Sequence, residues 1–183
     1  EPKDGSLELT ATDLEMQITA LADCDAKAGA ATTVSARKLH DLLRALPDDA
    51  TLNIDVSGSR MTVRAGRSRF NLQTLPSGDY PRISLGQDKL QSLSLPQKDL
   101  RALFRLVEFA MAQQDIRYYL NGMLLVIDRG SLQAVATDGH RLSWASLAVD
   151  GEFTRQEVIL PRKTVLELGK LLVDSEDPVS IDI

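Results

Sequence analysis

Gly130-Ser131-Leu132-Gln133-Ala134-Val135-Ala136-Thr137-Asp138 echoes Gly5-Ser6-Leu7-Glu8-Leu9-Thr10-Ala11-Thr12-Asp13. Gly-Ser-Leu opens both stretches and Ala-Thr-Asp closes both, at one offset: 130 against 5, or 125 residues. Arg162-Lys163 repeats Arg37-Lys38 at the same offset, and each pair opens a segment with helical apolar spacing. Two separate matches at one spacing indicate a duplicated domain, and 183 residues hold about one and a half copies of such a unit. Residues 92–129 precede the second signature and have no counterpart before Gly5, while nothing follows Ile183 to match residues 61–81. The expectation is a first copy without its beginning and a second copy without its end.

Composition sets the class. With 43% hydrophobic and 26% charged residues, the chain reads as an ordinary globular protein with enough apolar mass for a core in each copy. No apolar run reaches the roughly 20 residues of a membrane span, and no signal peptide is visible. The single Cys24 permits no intrachain disulfide and suits a reducing, cytoplasmic setting. Two His and one Cys make no His/Cys zinc site, so neither metal nor cofactor is expected.

Apolar residues at helical spacing predict helices over residues 34–46, 97–112 and 161–173. Alternating or β-rich runs at 52–56, 60–64, 68–72, 122–127 and 132–136, divided by Gly, Asp and Ser, predict antiparallel strands. Leu95-Pro96-Gln97-Lys98 and Leu160-Pro161-Arg162-Lys163 each step from strand to helix, which suggests two half-domains per domain, each with one helix on sheet. Residues 76–88, rich in Pro, Gly and Ser, mark the hand-over between domains 1–88 and 89–183. The class is α+β, and no glycine fingerprint for a dinucleotide or a P-loop occurs.

Charge is segregated by element. Residues 36–46, 97–112 and 161–173 hold nine basic and four acidic side chains, a balance of +5. The remainder holds 12 basic and 22 acidic groups, or −10, within a chain of net charge −5. Lys98, Arg101 and Arg105 share one helical face opposite the apolar stripe. A charged helix face is most often merely solvated. Three equivalent basic helices in an acidic protein instead suit local, sequence-independent binding of phosphate backbone. Neither helix-turn-helix spacing nor Asn or dense Arg on the polar faces points to base reading.

Residues 115–142 form a second candidate region, with two of the three Tyr and one of the two His. Asp138 and His140 could be read as the orienter and base of a hydrolase, but no nucleophile elbow accompanies them, and Asp-Gly-His more simply describes a turn. The first copy has Leu14-Glu15-Met16 where the second has Gly139-His140-Arg141, which favours a function special to the second copy.

The runs QQDIRYYLNGMLL (113–125), VATDGHRL (135–142), AGRSRFNLQTLPSGDYP (65–81) and VILPRK (158–163) resemble the bacterial DNA polymerase III beta subunits, the sliding clamps. The similarity covers essentially the whole chain. It implies the DNA-clamp fold: three copies of a two-half domain, with two subunits closing head to tail into a ring around duplex DNA. The chain resembles the latter two thirds of domain one and the first half or more of domain two, with domain three absent. The family's helices line the hole, which maps DNA contact onto Arg37, Lys38, Arg44, Lys98, Arg101, Arg105, Lys163 and Lys170. A loop that touches DNA maps onto Gln114, Arg117, Tyr118 and Tyr119. A pocket for a linear motif of the polymerase III alpha subunit, the clamp loader, other polymerases and repair proteins maps onto Leu120, Thr137, Gly139, His140, Arg141 and Leu142. The resemblance implies a non-catalytic processivity factor. The alternatives are a clamp-fold interaction scaffold with a minor DNA role and an enzyme using Asp138 and His140.

Overall fold

A computed structural model describes residues 1–83 and 91–183, and the chain divides into two compact units, Glu1–Leu85 and Gly86–Ile183. The expected boundary after residue 88 lies outside the described residues.

In the first unit, β1 (Pro2–Lys3), β2 (Ser6–Thr12) and β3 (Gln17–Asp23) form one antiparallel sheet. After β4 (Thr32–Val34) and helix α1 (Ala36–Arg44) come β5 (Leu52–Ser57), β6 (Arg60–Ala65) and β7 (Ser68–Pro76), paired in the order β4-β7-β6-β5. The core is small: Leu42 of α1 meets Met61 and Val63 of β6, with Leu39, Phe70 and Leu72 around them. Alternation accounts for this, since the odd-numbered apolar residues of β6 share the face that α1 covers. Every residue of β3 and β5 is exposed.

The second unit runs β8 (Ser92–Pro96), α2 (Gln97–Val107), β9 (Gly122–Asp128), β10 (Ser131–Thr137), β11 (Leu142–Ala148), β12 (Gln156–Pro161), α3 (Arg162–Leu171) and β13 (Pro178–Asp182). Its sheets are β11-β10-β9-β12 and β13-β8, all antiparallel. One core fills it: Leu100, Leu103, Phe104 and Val107 of α2 and Val165 of α3 pack with Met123, Leu125 and Ile127 of β9 and Leu132, Ala134 and Ala136 of β10. Gly122 is obligatory for this closure, because a Cβ there would lie 2.5 Å from the Leu160 carbonyl oxygen on β12.

The repeat is visible in the backbone. β2 and β3 match β10 and β11 residue for residue at the 125-residue offset. Gly5 and Gly130 hold φ of 77° and 78°, a left-handed conformation that glycine adopts without steric cost. Their carbonyls accept the N–H groups of Cys24 and Val149, again an equivalent pair. The half-domain echo holds as well. Pro96 and Pro161 sit before α2 and α3 with φ/ψ of −59°/140° and −55°/143°. The first helical N–H groups, of Gln97 and Arg162, are satisfied by Asp177 and Asn121 carbonyls.

All three helices are shorter than expected, the third running Arg162–Leu171 with Pro161 in β12. Residues 34–46 were expected helical throughout, whereas Val34 belongs to β4 and the helix ends at Arg44. The helix expected over 97–112 stops at Val107, whose φ of −126° breaks the spiral, and a single 3-10 turn, Glu108–Ala110, follows. The turn delivers Ala110 and Met111 to the core while leaving Phe109 exposed, so the apolar spacing survives a change of backbone.

Candidate functional site

The cations of the helices are not equivalent. The side chains of Arg37, Lys38 and Arg44 on α1, and of Arg101 and Arg105 on α2, make no hydrogen bond or ion pair among the described residues. Lys98 is held by Glu176, which raises its pKa, and Lys170 by Glu167 at 2.7 Å. Lys163 is exposed on α3. Among the described residues five of the eight mapped helical cations are therefore free to meet an anion, whereas Lys98, Lys163 and Lys170 are already engaged.

The β10–β11 turn is built by two short side chains. Thr137 Oγ1 donates to the Arg141 carbonyl at 2.7 Å and accepts the Gly139 N–H at 3.1 Å. Asp138 Oδ1 accepts the N–H groups of His140 and Arg141, both at 3.0 Å, and Oδ2 accepts Arg141 Nε at 3.0 Å. These backbone donors, followed by the guanidinium, hold the Asp138 carboxyl below its ordinary range. Asp138 therefore meets His140 through the main chain and does not orient its ring as a base.

The same turn closes β2–β3. Thr12 Oγ1 donates to the Met16 carbonyl at 2.6 Å and accepts the Leu14 N–H, and Asp13 Oδ1 accepts the N–H groups of Glu15 and Met16. The turn backbone is thus common to both copies, and the expectation of a function special to the second rests on the residues that replace Leu14-Glu15-Met16 there. What is special there is the side chains it presents.

Arg141 reaches back from the turn, its Nη2 donating to the Phe109 carbonyl at 2.7 Å and its guanidinium lying 5.5 Å from the Phe109 ring centre. Asp115 Oδ1 accepts both the N–H and the Nε of Arg117, at 2.8 and 3.0 Å, and Oδ2 accepts Nη2 at 2.9 Å. This pairing with Arg117 brings the Asp115 carboxyl down to about 2. Between the loop and the turn lies a depression of about 360 Å³, walled by Asp115, Arg117, Asp138, His140, Arg141 and Arg162.

The resemblance maps a linear-motif pocket onto Leu120, Thr137, Gly139, His140, Arg141 and Leu142. Of these, His140 and Arg141 line the depression, together with Arg117. Leu120 is buried, closing the 3-10 turn Tyr118–Leu120, and Leu142 is 65% exposed at the start of edge strand β11. The depression on this unit is mixed: guanidinium and carboxylate groups share its wall with Phe109, Met111 and Ala112. Gln114, at φ 55°, and Tyr118 and Tyr119 stand exposed on the loop, whereas the charge of Arg117 is committed to Asp115. Sequence reasoning assigned no role to Asp115, Asn121 or Arg162. Asp-x-Arg spacing is the one local signal for the first of these, since an Asx side chain reaches the backbone two residues on.

Residues 1–84 match the family model described as DNA polymerase III beta subunit, N-terminal domain, and residues 94–183 the one described as DNA polymerase III beta subunit, central domain. The beta sliding clamp of Vibrio cholerae is 46% identical over 182 residues, which is 99% of this chain and 50% of that protein. The crystal structure of the Pseudomonas aeruginosa DNA polymerase III subunit beta superposes with a TM-score of 0.91 at 45% identity, covering 98% of this chain and 50% of the other. A Pseudomonas aeruginosa sliding clamp bound to griselimycin gives 0.90 at 44% identity, covering 98% and 49%. The chain spans about half the length of the curated relatives it matches.

Proposed function

Because the chain belongs to the DNA polymerase III beta subunit family, we propose that residues 1–88 and 89–183 are the first two domains of a sliding clamp, a processivity factor that encircles duplex DNA. The observation that carries the reading is the set of unpaired cations on α1 and α2, helices that the remaining acidic surface leaves as the positive elements. Free guanidinium and ammonium groups exchange counterions for phosphates without reading bases, so the contact is strong enough to hold and indifferent to sequence. Tethering is mechanical. The protein performs no chemistry and needs no cofactor, and it works in the cytoplasm as a head-to-tail homodimer completed by the third domain of its relatives.

In this reading the loop with Gln114, Tyr118 and Tyr119 touches DNA, and the β10–β11 turn forms one wall of the docking site for a linear motif. The motif belongs to the polymerase alpha subunit, the clamp loader and other polymerases and repair proteins. Ring topology supplies the test. Loaded onto closed circular DNA, the protein carrying the third domain should stay until the circle is cut and then leave by the ends. Equal loss from circular and linear DNA would reject encirclement and favour an interaction scaffold with a minor DNA role.

A further inference from the structure

We propose that Asn121 and Asp115 are positioning residues: through Arg117, which they lock against the turn at Gly139, they hold the exposed tip Ile116, Tyr118 and Tyr119 in a fixed place. The inference deepens the reading of this loop as a DNA contact and rests on it.

Asn121 grips the main chain of Asp115 with both ends of its amide. Its Oδ1 accepts the Asp115 N–H at 2.9 Å and its Nδ2 donates to the Asp115 carbonyl at 2.8 Å. The Asp115 carboxylate, so oriented, takes three donors from Arg117. The guanidinium comes to rest on Gly139, where a Cβ would lie 3.1 Å from Nη2 and 3.4 Å from Nη1. Nη2 is the same atom that Asp115 Oδ2 holds at 2.9 Å, so it is confined from both sides. In the equivalent turn of the first unit Leu14 carries a side chain at this point, and that turn offers no seat.

Around this latch the loop is closed by its own backbone, with Leu120 N–H on the Arg117 carbonyl and Asn121 N–H on that of Tyr118. At its tip, however, Ile116 is 98% and Tyr118 82% exposed, and the two tyrosine rings meet edge to face with centroids 5.9 Å apart. Large apolar side chains held in water by an ordered loop are a contact surface whose ordering cost has been met before binding. Arg117, its charge spent on Asp115, serves this surface as a strut rather than as a phosphate anchor.

A double-mutant cycle on duplex affinity tests this, with a short, dye-labelled duplex of mixed sequence as probe. Asn121→Ala should weaken binding about three- to tenfold, and in a Tyr118→Ala/Tyr119→Ala background the same change should do nothing further. Fluorine NMR of fluorotyrosine-labelled protein gives a second readout: Asn121→Ala should average the Tyr118 and Tyr119 resonances and leave Tyr80, the third tyrosine, unmoved. Additive losses, or unchanged tyrosine signals, would overturn the positioning role while leaving the DNA contact standing. A tyrosine pair whose removal costs no affinity would overturn the DNA reading of the tip and this inference with it.

Discussion

Leu14 and Gly139 occupy the same place in the same turn, with φ of 78° and 87°, yet only one of them is a residue suited to that conformation. A left-handed backbone costs a Cβ-bearing residue about 1–2 kcal/mol. Leu14→Gly removes that strain and adds chain entropy to the unfolded state, so its net effect should lie between neutral and about 1 kcal/mol stabilising. Gly139→Ala runs the same two terms in reverse, but strain outweighs the entropy gain and Arg117 is also displaced, so it should cost about 1–2 kcal/mol. Urea unfolding of the two variants should move in opposite directions or, for Leu14→Gly, not at all.

Burial separates the two units. Phe104 is 2% exposed at the centre of the second unit's core, and Phe104→Ala should cost about 3–5 kcal/mol. Leu21→Ala, on an exposed strand of the first unit, should stay within about 0.5 kcal/mol. Thermal unfolding with probes in each unit should show the Phe104→Ala loss in the second alone.

The loop latch has a defined acid limit. The Asp115 carboxyl titrates near 2 against an ordinary 3.8, because Arg117 favours its charged form. Its folded pKa is depressed, so its contribution is fully present above about 3.8 and is lost as the pH falls through about 2. Carboxyl NMR should find that midpoint in the parent, and Arg117→Ala should return it towards the ordinary value.

Free and tied cations should differ in their salt signatures. Arg101→Glu and Arg105→Glu should each reduce the log–log salt slope of duplex binding by about 0.9, one phosphate contact apiece. Lys98→Glu should change it less, since Glu176 already answers that charge, and Glu176→Gln should steepen it. Anisotropy titrations across a salt series would show whether the four slopes fall in this order.

Much of the fold is legible in the residues. The Gly-Ser-Leu and Ala-Thr-Asp signatures are the ends of one hairpin strand in each copy, and the Leu-Pro steps are strand-to-helix junctions. Amphipathic spacing located all three helices but overran each of them, α2 the furthest, because Met111 keeps helical phase while its backbone has left the helix. Exposure did not hide β5, where Leu52, Ile54 and Val56 alternate with Asn53, Asp55 and Ser57, whereas β3, equally exposed, was not among the predicted strands. At the candidate site the turn chemistry of Thr137 and Asp138 was readable, whereas its polarity was not. That polarity depends on Arg117, Arg141 and Arg162 converging from three separate stretches of chain, with Arg117 meeting Asp115, Arg141 meeting Asp138 and Arg162 donating to the Met111 carbonyl.

In the proposed reading of the chain as part of a clamp, the carboxylates beside Lys98 and Lys170 bear on how smoothly it travels. An ammonium group that binds only phosphate must climb out of one well before falling into the next, and the sum of such wells is friction. A lysine with Glu176 or Glu167 within reach has somewhere to rest between phosphates, so the floor of the landscape rises and its ripples flatten. On that view the acidic partners subtract from grip and add to glide.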